Sequence, residues 1–165
     1  MSVFVHLAPA PTVARILRNG IRRGTPPGPL PAGVFAMPVS PSFFASHQWL
    51  REMKRSGQRT ISAVYFRIPD DEPVWLGHFG QGHTRMGASE AAGHVTAAGS
   101  AEGFEVLVPR RVEASEILRV KGIPQVVGWR YFPGAHGSRP CGCPGCLKKG
   151  EIRSSAIRRR YEGEG

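Results

Sequence analysis

Residues 22–33 read RRGTPPGPLPAG, with four prolines and three glycines in twelve positions. Proline fixes φ and removes a backbone donor, and glycine costs conformational entropy in any regular element. This stretch can only be a loop. It forces a long excursion between the first helix of the chain and the strand that follows. With 21 glycines and 15 prolines overall, loops are many and helices short.

Around that loop the elements follow from pattern. VFVHLA (3–8) reads as a strand. PTVARILRNGI (11–21) reads as a helix: Pro11 and Thr12 suit its start, Val13, Ile16 and Leu17 make one apolar stripe, and Gly20 is a stop. GVFAMPV (33–39) is a second strand. SPSFFASHQWLREMKRSG (40–57) reads as one long helix, capped by Ser40, with Pro41 in its first turn and Gly57 at its end. Phe43, Phe44, Leu50 and Met53 on it are assigned to core packing. RTISAVYFRI (59–68) is a strand, PDDEP (69–73) a turn, and VWLGHF (74–79) a further strand. ASEAAGHVTAAG (88–99) is a short helix, FEVLVP (104–109) a strand, and EASEILRVKGI (113–123) a turn plus strand. The order is β, α, long loop, β, α, β and then mostly β. This is an α+β chain rather than an alternating parallel sheet. Its core is expected over 1–124, with a cysteine-rich, basic extension over 125–165.

Three features bound the function. No apolar run reaches about 18 residues, so no membrane partner is expected. MSVFVHLAPAP lacks the basic start and long apolar stretch of a signal peptide, and the three cysteines cluster in CGCPGC, which argues against a disulfide framework; a cytoplasmic protein is expected. The formal charge of +10 is uneven. Residues 1–108 carry 10 Lys and Arg against 7 Asp and Glu; residues 109–165 carry 12 against 5. A basic surplus of that kind attracts DNA or RNA, or simply keeps a tail solvated.

Single residues carry the chemistry. Glu105 opens the apolar run Val106–Leu107–Val108; it either faces water at a strand end or is aimed into a cleft. His6 follows VFV; it is either a core histidine bonded to backbone or a donor–acceptor for a ribose hydroxyl. Arg51 shares a helix face with His47 and could meet a pyrophosphate or sit solvated. The acids of PDDEP are expected to face solvent. His78 and His83 flank FGQG, a weak metal pair. His136, Cys141, Cys143 and Cys146 fall within eleven residues, and Cys-x-Cys-x-x-Cys with a nearby imidazole suits one structural zinc; reduced free thiols, a redox pair, or a fourth ligand from His78 or His83 are the alternatives. Trp129, Arg130, Tyr131 and Phe132, followed by Lys148, Lys149, Arg153 and Arg158 to Arg160, suit a nucleic-acid face, and the aromatic group equally suits a packed strand.

The sequence order VHLA, NGI, GVFA and late FEVLV resembles the ADP-ribosyltransferase-like superfamily. Members begin with a His-bearing strand, matched by His6, then a helix ending in a Gly–Ile or Gly–Leu pair, matched by Gly20–Ile21. A strand of the GVYL kind follows, matched by 33–36, and a late strand starts with the catalytic glutamate. The late strand, with Val112 and Ile117 after it, is similar to that of toxins that ADP-ribosylate DNA bases. The tRNA 2′-phosphotransferases share the split fold but lack this glutamate. The resemblance covers residues 3–120. It implies a split β-sheet and NAD as substrate, with Glu105 and His6 catalytic. His6, Leu7, Gly20, Gly33, Phe35, Ser40 and Arg51 would bind NAD. Two positions depart from the family: Phe35 stands where a tyrosine is frequent, and the first strand lacks the arginine of the arginine-type toxins. The alternative reading is a small zinc-containing nucleic-acid-binding module with an inert core. Phosphate transfer from RNA to NAD is a third, in which Glu105 has no task.

Overall fold

β-Branched and aromatic residues in alternation build seven strands of one antiparallel sheet, which a computed structural model describes over residues 1–55, 57–79 and 81–125. The backbone of a two-residue pairing, Ala135–His136 with Arg139–Pro140, is also described. The strands are β1 (Ser2–Pro9), β2 (Val34–Pro38), β3 (Ile61–Ile68), β4 (Pro73–His78), β5 (His83–Gly87), β6 (Phe104–Val108) and β7 (Ile117–Gly122). Their spatial order is β5-β4-β6-β2-β1-β3-β7. The helices are α1 (Val13–Asn19), α2 (Phe43–Ser46), α3 (Leu50–Arg55) and α4 (Ala88–Ala97). The fold is α+β. Among the described residues no helix is long and apolar enough to cross a membrane.

The core runs through the middle of the sheet. Phe4, Val64, Phe66, Ile68, Val106 and Val108 have no exposed surface, and α4 seals one side with Ala88, Ala91 and Val95. Phe4 and Phe66 are register partners on β1 and β3, with ring centroids 6.1 Å apart. Pairing is uneven along the sheet. β1 and β3 match over eight residue pairs, whereas β1 and β2 match over two, Phe4 with Pro38 and Val5 with Met37. The sheet therefore parts between β1 and β2 beyond Val5. The Pro-rich loop is pinned at its base by reciprocal backbone hydrogen bonds between Gly24 and Gly33, at 2.7 and 2.9 Å.

Residues 43–55 form two short helices rather than one. Ser46, His47 and Gln48 are each about 2–3 % exposed. Three consecutive residues on an α-helix point roughly 100° apart, so one stripe cannot bury all three. Breaking the helix lets each find a partner. Ser42, not Ser40, caps α2, its Oγ accepting from the Ala45 N–H at 3.2 Å. His47 donates from Nδ1 to the Phe43 carbonyl at 2.7 Å, and its Nε2 accepts from the Tyr65 hydroxyl at 2.8 Å. Burial holds the His47 pKa below the ordinary value, which keeps the ring neutral in that tautomer. Gln48 accepts from the Gly103 N–H and donates to the Ala101 carbonyl, both at 2.7 Å.

The turn at 69–73 also departs from expectation. Asp70 is exposed and pairs with the N-terminal amine, but Glu72 is drawn in. Arg110 binds Glu72 at 2.8 Å and takes Glu116 bidentately at 2.7 Å, holding the Glu116 carboxyl below the usual carboxylate range. β5 lies where sequence pattern marks no strand: its HTRMG alternates too weakly to read alone, and it forms by pairing to β4.

Removing the Gln48 amide strands the Gly103 N–H and the Ala101 carbonyl. Gln48→Ala is expected to destabilise the fold by about 1–3 kcal/mol for each buried group left unpaired. Thermal melts of the two proteins measure this, and an unchanged midpoint would refute the assignment.

Candidate functional site

Where β1 and β2 part, a cavity of about 720 Å³ opens. β1 lines it with His6 and Leu7, and β2 with Phe35 and Met37. The other wall comes from Trp75 of β4, His83 of β5 and Glu105 of β6. Trp49 and Met53, on either side of the α3 start, and Phe79 close one end; Pro26, Pro27, Pro29 and Leu30 of the pinned loop close another. Trp49 and Phe79 pack with ring centroids 5.3 Å apart, and the Trp49 indole N–H donates to the Phe104 carbonyl at 2.9 Å. The assignment of Met53 to the core alone is corrected: it packs on the core and also lines this cavity.

His6 sits at the parting. With the β1–β2 ladder ended, its Nδ1 takes the place of a backbone donor and gives its proton to the Phe35 carbonyl at 2.7 Å. A carbonyl only accepts, so Nδ1 carries the hydrogen and Nε2 holds a lone pair. Burial lowers the His6 pKa, partly offset by that hydrogen bond, so the ring is neutral at neutral pH.

Glu105 is in the cleft, with 14 % of its side chain exposed. Its Oε1 receives the His83 Nε2 at 2.9 Å, and the His83 side chain is 6 % exposed. Burial pushes the Glu105 carboxyl above the ordinary carboxylate range; His83, by charge and by hydrogen bond, and His78, by charge, pull it partly back. The pair spans three strands. His83 on β5 and Glu105 on β6 are both register partners of Gly77 on β4. His78, its neighbour, binds the Glu102 carbonyl at 3.0 Å, over bare Gly103.

The residues singled out for NAD divide into two groups. His6, Leu7, Phe35 and Glu105 meet in the cavity. Gly20, Gly33, Ser40 and Arg51 are not among its lining residues. Gly20 ends α1 at φ +76°, and a Cβ there would lie 2.1 Å from the Val112 carbonyl oxygen. Gly33 has the same kind of reason, with the Val108 carbonyl oxygen 2.4 Å from a Cβ. Ser40 lines a separate cavity of about 440 Å³ between α2 and the end of α4, with Ser42, Gln48 and Thr96. His136 contributes only backbone to the described residues, and Cys141, Cys143 and Cys146 lie outside them, as do the aromatic group at 129–132 and the basic tail. Among the described residues no group of three or more His, Cys, Asp or Glu gathers to hold a metal.

Sequence reading missed Trp75 and Trp49 as cavity walls and the partner of Glu105. Gly77 was the available signal: a glycine inside a strand pattern marks close approach of another group.

Chemically, the cavity offers one carboxylate, a neutral imidazole with a free lone pair, and broad aromatic and proline walls. A desolvated carboxylate stabilises an adjacent developing positive charge more than a solvated one does. No protein-family model, curated protein or solved structure matches the chain.

The raised Glu105 pKa makes a signed prediction. A folded-state acid with a raised pKa binds its proton more tightly than the unfolded chain does, so stability falls as pH rises from the ordinary carboxylate range through the folded value. Glu105→Gln removes that loss. Melting curves across a pH series should show the variant equal to or above the parent at neutral pH, with the gap closing in acid; a variant less stable at neutral pH would mean that pairing outweighs burial.

Proposed function

We propose that the chain is an NAD-dependent ADP-ribosyltransferase-like enzyme of the split-sheet kind, cytoplasmic, acting on a nucleic-acid acceptor. The observation that carries this reading is the convergence of His6 from the first strand and Glu105 from a late strand on one cavity, where the sheet parts. The cavity volume, about 720 Å³, suits a ligand of dinucleotide class: small-molecule and cofactor pockets run from about 300 to 1,000 Å³.

The residues divide the work. In the transferase reaction the bond between ribose C1′ and the nicotinamide nitrogen breaks, and nicotinamide leaves as a neutral molecule with the bonding electron pair. Positive charge develops on the ribose. The Glu105 carboxylate offsets that charge inside an apolar cleft and can accept a hydrogen bond from a ribose hydroxyl. It also stands ready to take the proton of the attacking acceptor. His6 presents its Nε2 lone pair to a hydroxyl of the dinucleotide, because Nδ1 is committed to the Phe35 carbonyl. Phe35, 37 % exposed, offers a face for stacking in place of the tyrosine frequent in the family. The acceptor class rests on the basic surplus of residues 109–165, and one structural zinc on the cluster of Cys141, Cys143 and Cys146 with His136.

Purified protein incubated with NAD should release nicotinamide, faster with single-stranded DNA or RNA present. Glu105→Gln is expected to lower that rate by about 10²–10³-fold, the usual effect of deleting one preorganised charge-stabilising group. No release under any condition would favour the inert nucleic-acid-binding module. Nucleic-acid binding should also weaken uniformly across sequences, with a shallower salt slope, when residues 148–165 are removed, because phosphate contacts carry little sequence information. Affinity unaffected by that truncation would remove the tail from the interface.

A further inference from the structure

We propose that His83 is the positioning residue for Glu105, reaching it across the bare backbone of Gly77 and holding one carboxylate oxygen so that the other is presented to the substrate. The inference rests on the transferase reading above and assigns a residue that the family pattern does not supply.

The argument begins with spacing. β5 and β6 are not neighbours; β4 lies between them. Their backbones stand two inter-strand distances apart, roughly 9–10 Å. On a sheet face, laterally aligned residues point the same way, so a side chain on the middle strand normally separates those on either side. Here the middle residue is Gly77, aligned with His83 on one flank and Glu105 on the other. A Cβ at position 77 would lie 2.5 Å from both Cγ and Cδ2 of His83 and 2.7 Å from the Gly82 carbonyl oxygen. The imidazole therefore occupies the volume that any side chain at 77 would need. Only glycine leaves the slot through which Nε2 reaches Oε1 at 2.9 Å.

The slot is shielded. The two side chains are 6 % and 14 % exposed, so water competes little for the contact and its strength is that of a low-dielectric hydrogen bond. Among the described residues no other hydrogen bond to the Glu105 carboxylate is formed, which leaves Oε2 for the ligand. Among the described residues, the groups whose charge acts on this carboxylate are imidazoles, His83 from β5 and His78 from β4, and His6 of β1 shares its cavity. β2 brings Phe35 to this face and β6 itself brings Leu107, neither of which titrates. His83 is the one that touches Glu105.

A merely structural cross-strand pair would affect stability and, by linkage, the Glu105 titration, but not turnover. A positioning residue also sets the aim of the carboxylate, and with it kcat. The full-length protein, labelled with carboxyl-¹³C glutamate, reports the Glu105 titration directly, with Glu105→Gln to assign the resonance. The same preparations are assayed for nicotinamide release. In His83→Ala the Glu105 titration should move to higher pH. The acid limb of kcat should move with it, falling about tenfold per pH unit of the shift at pH values below it, while KM for NAD changes little. His83→Gln keeps an N–H donor and should restore most of the turnover. Gly77→Ala displaces the same imidazole and should move the titration in the same direction; because its Cβ also meets the Gly82 backbone, the two His83 variants decide if it does not fold. An unmoved Glu105 titration in His83→Ala would overturn the inference, even with NAD turnover intact. Absence of NAD turnover in the parent protein, with the titration still moved, would overturn the transferase reading and leave His83 as the holder of Glu105.

Discussion

The hydrogen-bond ladder between β1 and β2 is the constraint on which the site depends. Two residue pairs hold these strands together, and beyond Val5 they separate. An unpaired backbone edge inside a protein has to find partners, because a buried polar group left alone costs about as much as a lost hydrogen bond. His6 supplies one by giving its Nδ1 proton to the Phe35 carbonyl. The parting is thus stable without being closed, and the space it leaves is lined by side chains instead of filled by a continuous ladder. A sheet paired along its full length here would have no cavity, and Glu105 would have nothing to face.

The second dependence runs through residues 46–49. Gln48 binds on both sides of Glu102, at Ala101 and Gly103, and Trp49 binds the Phe104 carbonyl. These contacts fix the backbone entering β6 immediately before Glu105. The interruption between α2 and α3 is what aims them there. A continuous helix would satisfy local propensity better, but it would turn at least one of His47, Gln48 and Trp49 away from its partner. Local preference yields here to burial of polar groups that are fully satisfied only with the helix broken.

How much of this was legible follows from the range over which each interaction acts. β1, β2, β3, β4, β6, α1 and α4 come from periodicity and punctuation within about ten residues, and those signals are local. The loop at 22–33 is set by its prolines. The helix break was not legible, because its cause lies in the partners of Gln48 and His47, at Gly103 and Tyr65, more than fifteen residues away. β5 was not legible because HTRMG becomes a strand through β4. Glu105 could be nominated from its place at the head of an apolar run, but its partner could not: His83 is 22 residues upstream and two strands across. Gly20 and Gly33 were nominated for the ligand and turn out to be needed where backbone passes backbone, a requirement that a motif match cannot separate from binding.

The energetics of the cleft argue for its use. Phe35 and Phe79 each keep over a third of their surface exposed beside a cavity large enough to hold a ligand. Filling that volume with aliphatic side chains would bury apolar area at about 25 cal/mol per Å². Glu105, meanwhile, is buried against its preference for charge, as its raised pKa records. Both features lower stability, and neither is needed by the sheet, whose core of Phe4, Phe66 and Val106 is complete without them. Two unfavourable choices converge on one carboxylate. Selection for stability alone would remove each of them, so their coincidence at the parting of β1 and β2 marks that carboxylate as the group the fold is arranged to present.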